Sequence, residues 1–540
     1  MFRSSIRSSG RRPLLVSTGP CVAVAAVLLA GCSEAPVGGS SSTPGVTSLT
    51  VGLGQNPDTL DPGATGLIGS SQVDQQIFDT LIWRLPGNDK WFPGLAEDFS
   101  ISGDGTVYTF KLRRDVTFHD GTPFNAAAVK ATFDHIVDPA TQSKSALGAL
   151  GPYKETRVLD DYTAEIVFSK PNVAFQNYVS EAFFGISSPT ALKKYAADYG
   201  SHPVGTGPFV LKEFKSGEKV VLSRNDAYRW GPAQVSSGPA KVSNLTFRIL
   251  TDASAQANAL STGEIDVAET LTPQDVASAV SAGKTAATAP SRGIPYGFLI
   301  NVDKPPTNDL AVRQALEFGF DRAGVLNTLF QGQYEAASSV LTPNTPGYDQ
   351  KQALYKYDPA RAEQLLSQAG WVKGGDGMYA KGGQPLAVNM VNISGFGFSG
   401  IAQLLQAQMK KIGVAVTISD QAFPAVATSY NQGQSNTADW FFYAADPYAL
   451  KTVFGCDQVK SGFNWSHYCN PAIDAGIEEA NSTVDDAKRT SAYASIVQTL
   501  MEQAVFLPIR DLKTIVVADK KVGKLLFTVS GQPLFAAAGS

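Results

Sequence analysis

Residues 386–420 read LAVNMVNISGFGFSGIAQLLQAQMKKIGVAVTISD. The apolar run Leu386–Asn392 predicts a strand, and Val414–Ile418 predicts a second. Between them Leu404, Leu405, Gln408 and Ile412 fall at helical spacing, which predicts a helix over Ala402–Ile412. Strand, helix and strand within about thirty residues form a βαβ unit, since parallel strands need a crossover of that length. The corner Gly395-Phe396-Gly397-Phe398-Ser399-Gly400 matches G-x-G-x-x-G, and Asp420 follows at the spacing of a ribose-binding acid. Phe396 and Phe398, however, put bulk where a backbone must approach a pyrophosphate. The corner is read as a Gly-rich turn beside a pocket, not as a nucleotide site.

The same mixture extends outward. Further strands are expected at Ser48–Leu53, Thr106–Leu112, Thr163–Phe168, Lys219–Ser223, Leu245–Ile249 and Tyr296–Val302. Helices are expected at Ser70–Leu81, at Asn125–Ile136 with Asn125 as its cap, at Asn308–Leu329 and at Pro359–Ala369. Helices and strands interleave with no repeat period, which predicts an α/β fold. At 540 residues the chain is long enough for two to four domains, and 43% apolar residues suffice for sizeable cores.

Several chemistries are unsupported. The net charge is −4 with no polybasic run beyond the N-terminus, so no nucleic-acid partner is expected. The four His (His119, His135, His202, His467) are scattered, which leaves little for a metal centre, and no metal or cofactor is expected. The sequence contains no H-E-x-x-H, no G-x-S-x-G and no phosphate-cradling Gly-Lys-Ser/Thr loop. Gly205-Thr206-Gly207-Pro208 is a tight corner, because Pro208 removes a donor amide.

The N-terminus reads as an address. Arg3, Arg7, Arg11 and Arg12 precede an apolar run from Val22 to Ala30, too short to span a bilayer, and the pattern is that of an export signal. Leu29-Ala30-Gly31-Cys32 resembles the lipobox of bacterial lipoproteins, which implies lipidation of Cys32 and removal of residues 1–31. Residues 32–46, rich in Ser, Gly and Pro, are then a flexible tether. General and twin-arginine export both stay open. Loss of the four Arg takes the net charge from −4 to −8, giving an acidic body at the outer face of a membrane. Of the four Cys, Cys456 and Cys469 remain besides the lipidated one and the one in the leader. Outside the cytoplasm the pair reads as a disulfide of about 3 kcal/mol in the chain-entropy model, the alternative being two buried thiols.

Several blocks carry a family resemblance. They are Leu95–Ser100, Thr106–Arg113, Phe118-His119-Asp120-Gly121-Thr122-Pro123-Phe124 through Val129, Val204-Gly205-Thr206-Gly207-Pro208-Phe209, Asn308–Leu316 and Tyr357-Asp358-Pro359-Ala360-Arg361-Ala362. Together they resemble the family 5 extracellular solute-binding proteins, the dipeptide/oligopeptide/nickel class of bacterial ABC importers. The resemblance runs from about residue 48 to beyond 510. It implies a two-lobed, periplasmic-binding-protein-like α/β fold (type II, cluster C) with an extra subdomain in lobe one. Lobe one would be 47–290 plus 505–540, its subdomain about 83–200, and lobe two 291–504. The implied protein is no enzyme. It is a monomeric lipoprotein that closes on a small peptide or peptide-like solute and delivers it to ABC permease subunits. A chelated metal or another non-peptide solute is the alternative, and an exported enzyme a further one.

The resemblance also assigns candidate contacts. The segment Ala438–Pro447 aligns with a ligand-facing strand, offering Trp440, Phe442, Tyr443 and Asp446. Peptide binders of the family carry an Asp four residues before that Pro, where this chain has Tyr443. A phenol lacks the ionic hydrogen bonds of a carboxylate, which are about twice as strong as neutral ones. Asp446 is the nearest acid, or else a turn residue before Pro447. Asn464 and Trp465 would edge the pocket, or pack under the disulfide loop. Arg292 would meet a ligand carboxylate, or lie on the surface. Tyr296 and Phe298 share a face of their strand, one as pocket wall and one as core. Residues Asp58 to Ser70 would border the cleft.

Overall fold

The computed structural model describes residues 46–87, 90–236, 238–350, 354, 356–394, 398–460 and 462–539. The export signal, Cys32, nearly all of the tether and the first three residues of the Gly-rich corner lie outside the described residues.

Strand β1 (Ser48–Leu53) leads to helix α1 (Ile68–Ile77). Strands β2 (Ala96–Ile101), β3 (Val107–Leu112), β4 (Tyr153–Asp160) and β5 (Thr163–Phe168) form an antiparallel sheet in the order β2-β3-β5-β4. Tyr108, Phe110 and Ile166 share a core with Phe133 of the helix Ala126–Val137. Asn125 caps that helix as expected, its Oδ1 accepting from the Ala128 amide at 3.2 Å. The chain continues through β6 (Phe209–Lys215), β7 (Lys219–Arg224), β8 (Asn244–Ile249), β9 (Val267–Ala268) and β10 (Thr285–Pro290).

After Ser291 and Arg292 the chain enters another sheet with β11 (Gly293–Ile300), followed by β12 (Ala387–Ile393) and helix α2 (Ser399–Lys411). Strands β13 (Ala415–Gln421) and β14 (Thr437–Tyr443), helix α3 (Asp486–Glu502) and β15 (Phe506–Arg510) complete it. The spatial order is β13-β12-β14-β11-β15. β12 and β13 pair in parallel from Ala387↔Ala415 to Ile393↔Gln421, so the segment that opens the sequence argument is a βαβ unit. Asp511 and Leu512 then return the chain to β16 (Lys513–Ala518), which completes a seven-stranded sheet, β10-β16-β9-β1-β8-β7-β6.

The strand at the crossing shows why the chain folds here. All eight residues of β11, GIPYGFLI, are buried. Tyr296, Phe298 and Ile300 join the core on one side with Val312, Val388 and Met390, while Ile294 and Leu299 join the other with Val391 and Trp440. A strand covered on both faces reads as a continuous apolar run, and each large side chain so buried contributes about 1.5–3 kcal/mol.

One expected helix is two. Asn308–Leu329 divides into Leu310–Phe318 and Arg322–Phe330. Asp321 Oδ1 accepts from the Gly324 amide at 2.9 Å and starts the second. A Cβ on Gly319 would lie 2.5 Å from Ile412 Cδ1, so the break lets α2 pack close. Cys456 and Cys469 form a disulfide.

Candidate functional site

The topology of the sheets locates a cleft. In the five-stranded sheet β12 stands between β13 and β14, parallel to both; the chain leaves β12 toward β13 on one side and leaves β14 toward β15 on the other. In α/β sheets such a switch point, at the carboxyl ends of the strands, is where ligands sit. β1 stands likewise between β8 and β9 in the seven-stranded sheet. The carboxyl ends of the two sheets meet. Gln55 after β1, Glu269 and Thr270 after β9, and Tyr443 at the end of β14 line a chamber of about 370 Å³. A second chamber of about 340 Å³ is walled by Trp440, Phe442 and Tyr443 of β14, with Phe423, Tyr178 and Glu181. Ile68, Tyr443, Ser530 and Gln532 belong to both, so the chambers adjoin around Tyr443.

The walls are exposed where a ligand would cover them. Ile68 is 53% exposed, Phe423 37% and Tyr443 36%, although each is large and apolar. Three such residues gathered in one concave site mark it for binding rather than for packing. The aromatic wall is continuous with the rings behind it. Phe423 stacks on Trp440 at 5.9 Å, Trp440 on Phe463 at 5.1 Å, and Trp465 meets Trp440 edge-on at 4.8 Å.

Two carboxylates complete the lining. Glu181 is 7% exposed, and its Oε1 has no hydrogen-bond partner. Burial lifts its pKa to about 7, against the opposing influence of the Ser530 hydroxyl and the Arg292 charge. Glu269 accepts from the Gln72 side chain of α1, and burial lifts its pKa to about 8. The buried Gln256 fixes the turn that carries Glu269, its Oε1 accepting from the Glu269 and Thr270 amides at 2.9 and 3.0 Å. Neither acid belongs to a motif. The available signal was position, since Glu269 directly follows the strand Val267–Ala268 and so stands at its carboxyl end.

The expected contacts divide into two groups. Tyr443, Trp440 and Phe442 line the cleft. Gly66 to Gly69 line it too, but Asp58 lies in a separate cavity and pairs with Lys144 at 2.8 Å. Asp446 does not face the cleft. It is fully buried, its carboxylate accepts from Arg489 at 2.7 and 2.8 Å and from the Asn177 amide, and it also receives the Tyr448 backbone amide at 2.8 Å. Asn464 is buried and ties the disulfide loop, its Nδ2 donating to the carbonyls of Gly455 and Tyr468, both at 3.0 Å. Trp465 is buried behind Trp440, so it supports the wall without forming it. Tyr296 is core like Phe298, its hydroxyl donating to Asp439 at 3.3 Å. Arg292 is buried at the crossing and lines a different cavity of about 450 Å³, with Arg84 and Arg489.

The sequence profile described as bacterial extracellular solute-binding proteins, family 5 Middle, matches residues 90–464. The chain belongs to this family. As a family 5 protein it is the solute-binding component of an ABC importer, a binding protein and not an enzyme, and it is extracytoplasmic. The glutathione-binding protein GsiB of Shigella dysenteriae serotype 1 is 29% identical over 476 residues, 85% of this chain and 88% of GsiB. The crystal structure of NikA from Brucella suis in complex with Fe(III)-EDTA matches with a TM-score of 0.81 at 27% identity, over 91% of this chain and 99% of NikA. The ABC transporter-associated protein DppA from Helicobacter pylori, in complex with the peptide STSA, matches with a TM-score of 0.70 at 25% identity, over 90% of this chain and 96% of DppA. The two solved structures share this chain's two-lobed α/β fold. Among the described residues no helix is long and apolar enough to cross a membrane.

Proposed function

We propose that this family 5 protein captures a peptide or peptide-like solute in the cleft around Tyr443 and delivers it to ABC permease subunits, held to the membrane as a monomer by lipid on Cys32. The observation that carries the reading is the convergence of the carboxyl ends of both sheets on one aromatic-walled cleft. Its lobes would be 47–290 plus 505–540, with a subdomain near 83–200, and 291–504. A solute touching Gln55, Glu269 and Ser530 on one side and Tyr443 and Phe442 on the other bridges the two sheets, and so favours the closed arrangement. Likeness to GsiB and to peptide-bound DppA supports a peptide-like solute. Likeness to NikA holding iron-EDTA supports the second reading, a chelated metal.

Thermal unfolding of the full chain with glutathione, trialanine and Fe(III)-EDTA tests this. A ligand at a hundredfold excess over its Kd adds about 2.7 kcal/mol to stability. Stabilisation by either peptide is expected, whereas stabilisation by Fe(III)-EDTA alone favours the second reading. Tyr443→Ala is expected to weaken binding of the stabilising ligand by about 2 kcal/mol, as aromatic anchors of interfaces do, while the unliganded protein keeps its stability within about 0.5 kcal/mol. Titration calorimetry and chemical denaturation read the two effects separately, and unchanged affinity would remove Tyr443 from the site.

A further inference from the structure

We propose that the cleft selects an organic cation, and that a positively charged nitrogen of the solute seats against the carboxylate of Glu181 before the aromatic wall of β14. This rests on reading the cleft as the solute site. Three observations carry it. First, the described residues that line the two chambers include no Lys, Arg or His, and their carboxylates are Glu181 and Glu269. The lining therefore offers a solute acidic partners and no cationic one, so a solute with only negative charge finds no counter-ion there. Second, Glu181 is buried at the chamber wall with Oε1 unpartnered, and a buried acceptor left unmade is costly unless a ligand donates to it. Third, Trp440, Phe442 and Phe423 present aromatic surface in the same chamber, and an organic cation gains from aromatic faces as well as from a carboxylate.

The arrangement differs from a carboxylate on β14 itself. Where a strand-end acid would stand, the chain has Tyr443, and the acid comes from the segment after the short helix Phe175–Tyr178. Without a solute cation Glu181 holds its proton about half the time near neutrality, because burial lifts it to about 7. An arriving cation favours the ionised form, any proton on Glu181 leaves to bulk water, and the carboxylate and the nitrogen then form an ion pair. The Arg292 charge moderates the lift, but Arg292 lines a different cavity. Glu269 already receives Gln72 and is the weaker candidate.

The nitrogen can belong to a peptide's α-ammonium or to a free amine. Titration calorimetry on the full chain with trialanine, N-acetyl-trialanine and cadaverine separates them, using wild type, Glu181→Gln and Glu269→Gln. Trialanine or cadaverine is expected to bind. Acetylation of trialanine, or Glu181→Gln, is expected to weaken binding roughly thirtyfold or more, as loss of one member of a buried charge pair does. Glu269→Gln is expected to have the smaller effect. Glu181→Gln replaces a buried acid by a neutral isostere, so its unfolding midpoint is expected to be no lower than that of wild type. The inference is overturned if N-acetyl-trialanine binds as tightly as trialanine, if Glu181→Gln leaves affinity unchanged, or if neither cation binds. Equal binding of both tripeptides would keep the peptide reading while sinking this one. Binding of cadaverine alone would support the cation and remove the peptide.

Discussion

Arg489→Ala is expected to destabilise the protein by about 3–5 kcal/mol, the cost of leaving a buried charge without its partner. Arg489 on α3 is 3% exposed, and Asp446 beside the end of β14 is fully buried. Their contacts at 2.7 and 2.8 Å make the guanidinium the charge partner of the buried carboxylate. The Arg489 Nε also donates to the Ala480 carbonyl at 3.2 Å, and the Asn177 side chain donates to the same Asp446 carboxylate from another part of the chain. Removing the arginine therefore loosens three segments together. Chemical denaturation measures the loss directly. The reverse variant Asp446→Ala should cost a similar amount, and the double variant less than the two singly added, because the buried charges disappear together. A strictly additive double variant would contradict the pairing.

The second large effect is expected at the crossing. Gly293 has φ +125°, and a Cβ there would lie 2.0 Å from the Phe442 carbonyl oxygen. Its amide donates to Thr345 Oγ1 and its carbonyl accepts from the Thr342 amide, both at 2.9 Å, so the backbone has no freedom to turn away. Gly293→Ala must either strain the crossing or push β11 from β14, and the strain and overpacking together are expected to cost about 2–6 kcal/mol. Because Phe442 and Tyr443 stand at that end of β14, affinity should fall along with stability. A variant as stable as wild type, with unchanged binding, would show that the crossing tolerates a side chain and that the ends of β11 and β14 are not held in register.

The regular elements were legible because their signals are local. Alternation and β-branching placed β1 and β5 at their observed bounds, and Asn125 marked its helix. The break at Gly319 was not legible, since it answers to the approach of Ile412 more than ninety residues away. Pattern also could not separate wall from core in the aromatic segments. Trp440 and Trp465 have the same chemistry and touch each other, yet the first lines the cleft and the second is sealed behind it. Asp446 before Pro447 carried the signal of a turn, and it accepts the Tyr448 amide as such a residue does, but its partner lies forty-three residues on. Glu181 offered no signal at all. Its place in the account comes from burial beside a chamber whose other walls come from five separate stretches of the chain.

A crystal structure of the full chain, purified with its solute or soaked with the tightest of the peptide and amine probes, tests the central claim most directly. The solute is predicted to lie between the two sheets, in contact with Tyr443 and Ile68 and with a nitrogen on the Glu181 carboxylate. Solute density in the cavity of Arg84, Arg292 and Arg489, with only water around Tyr443, would contradict it.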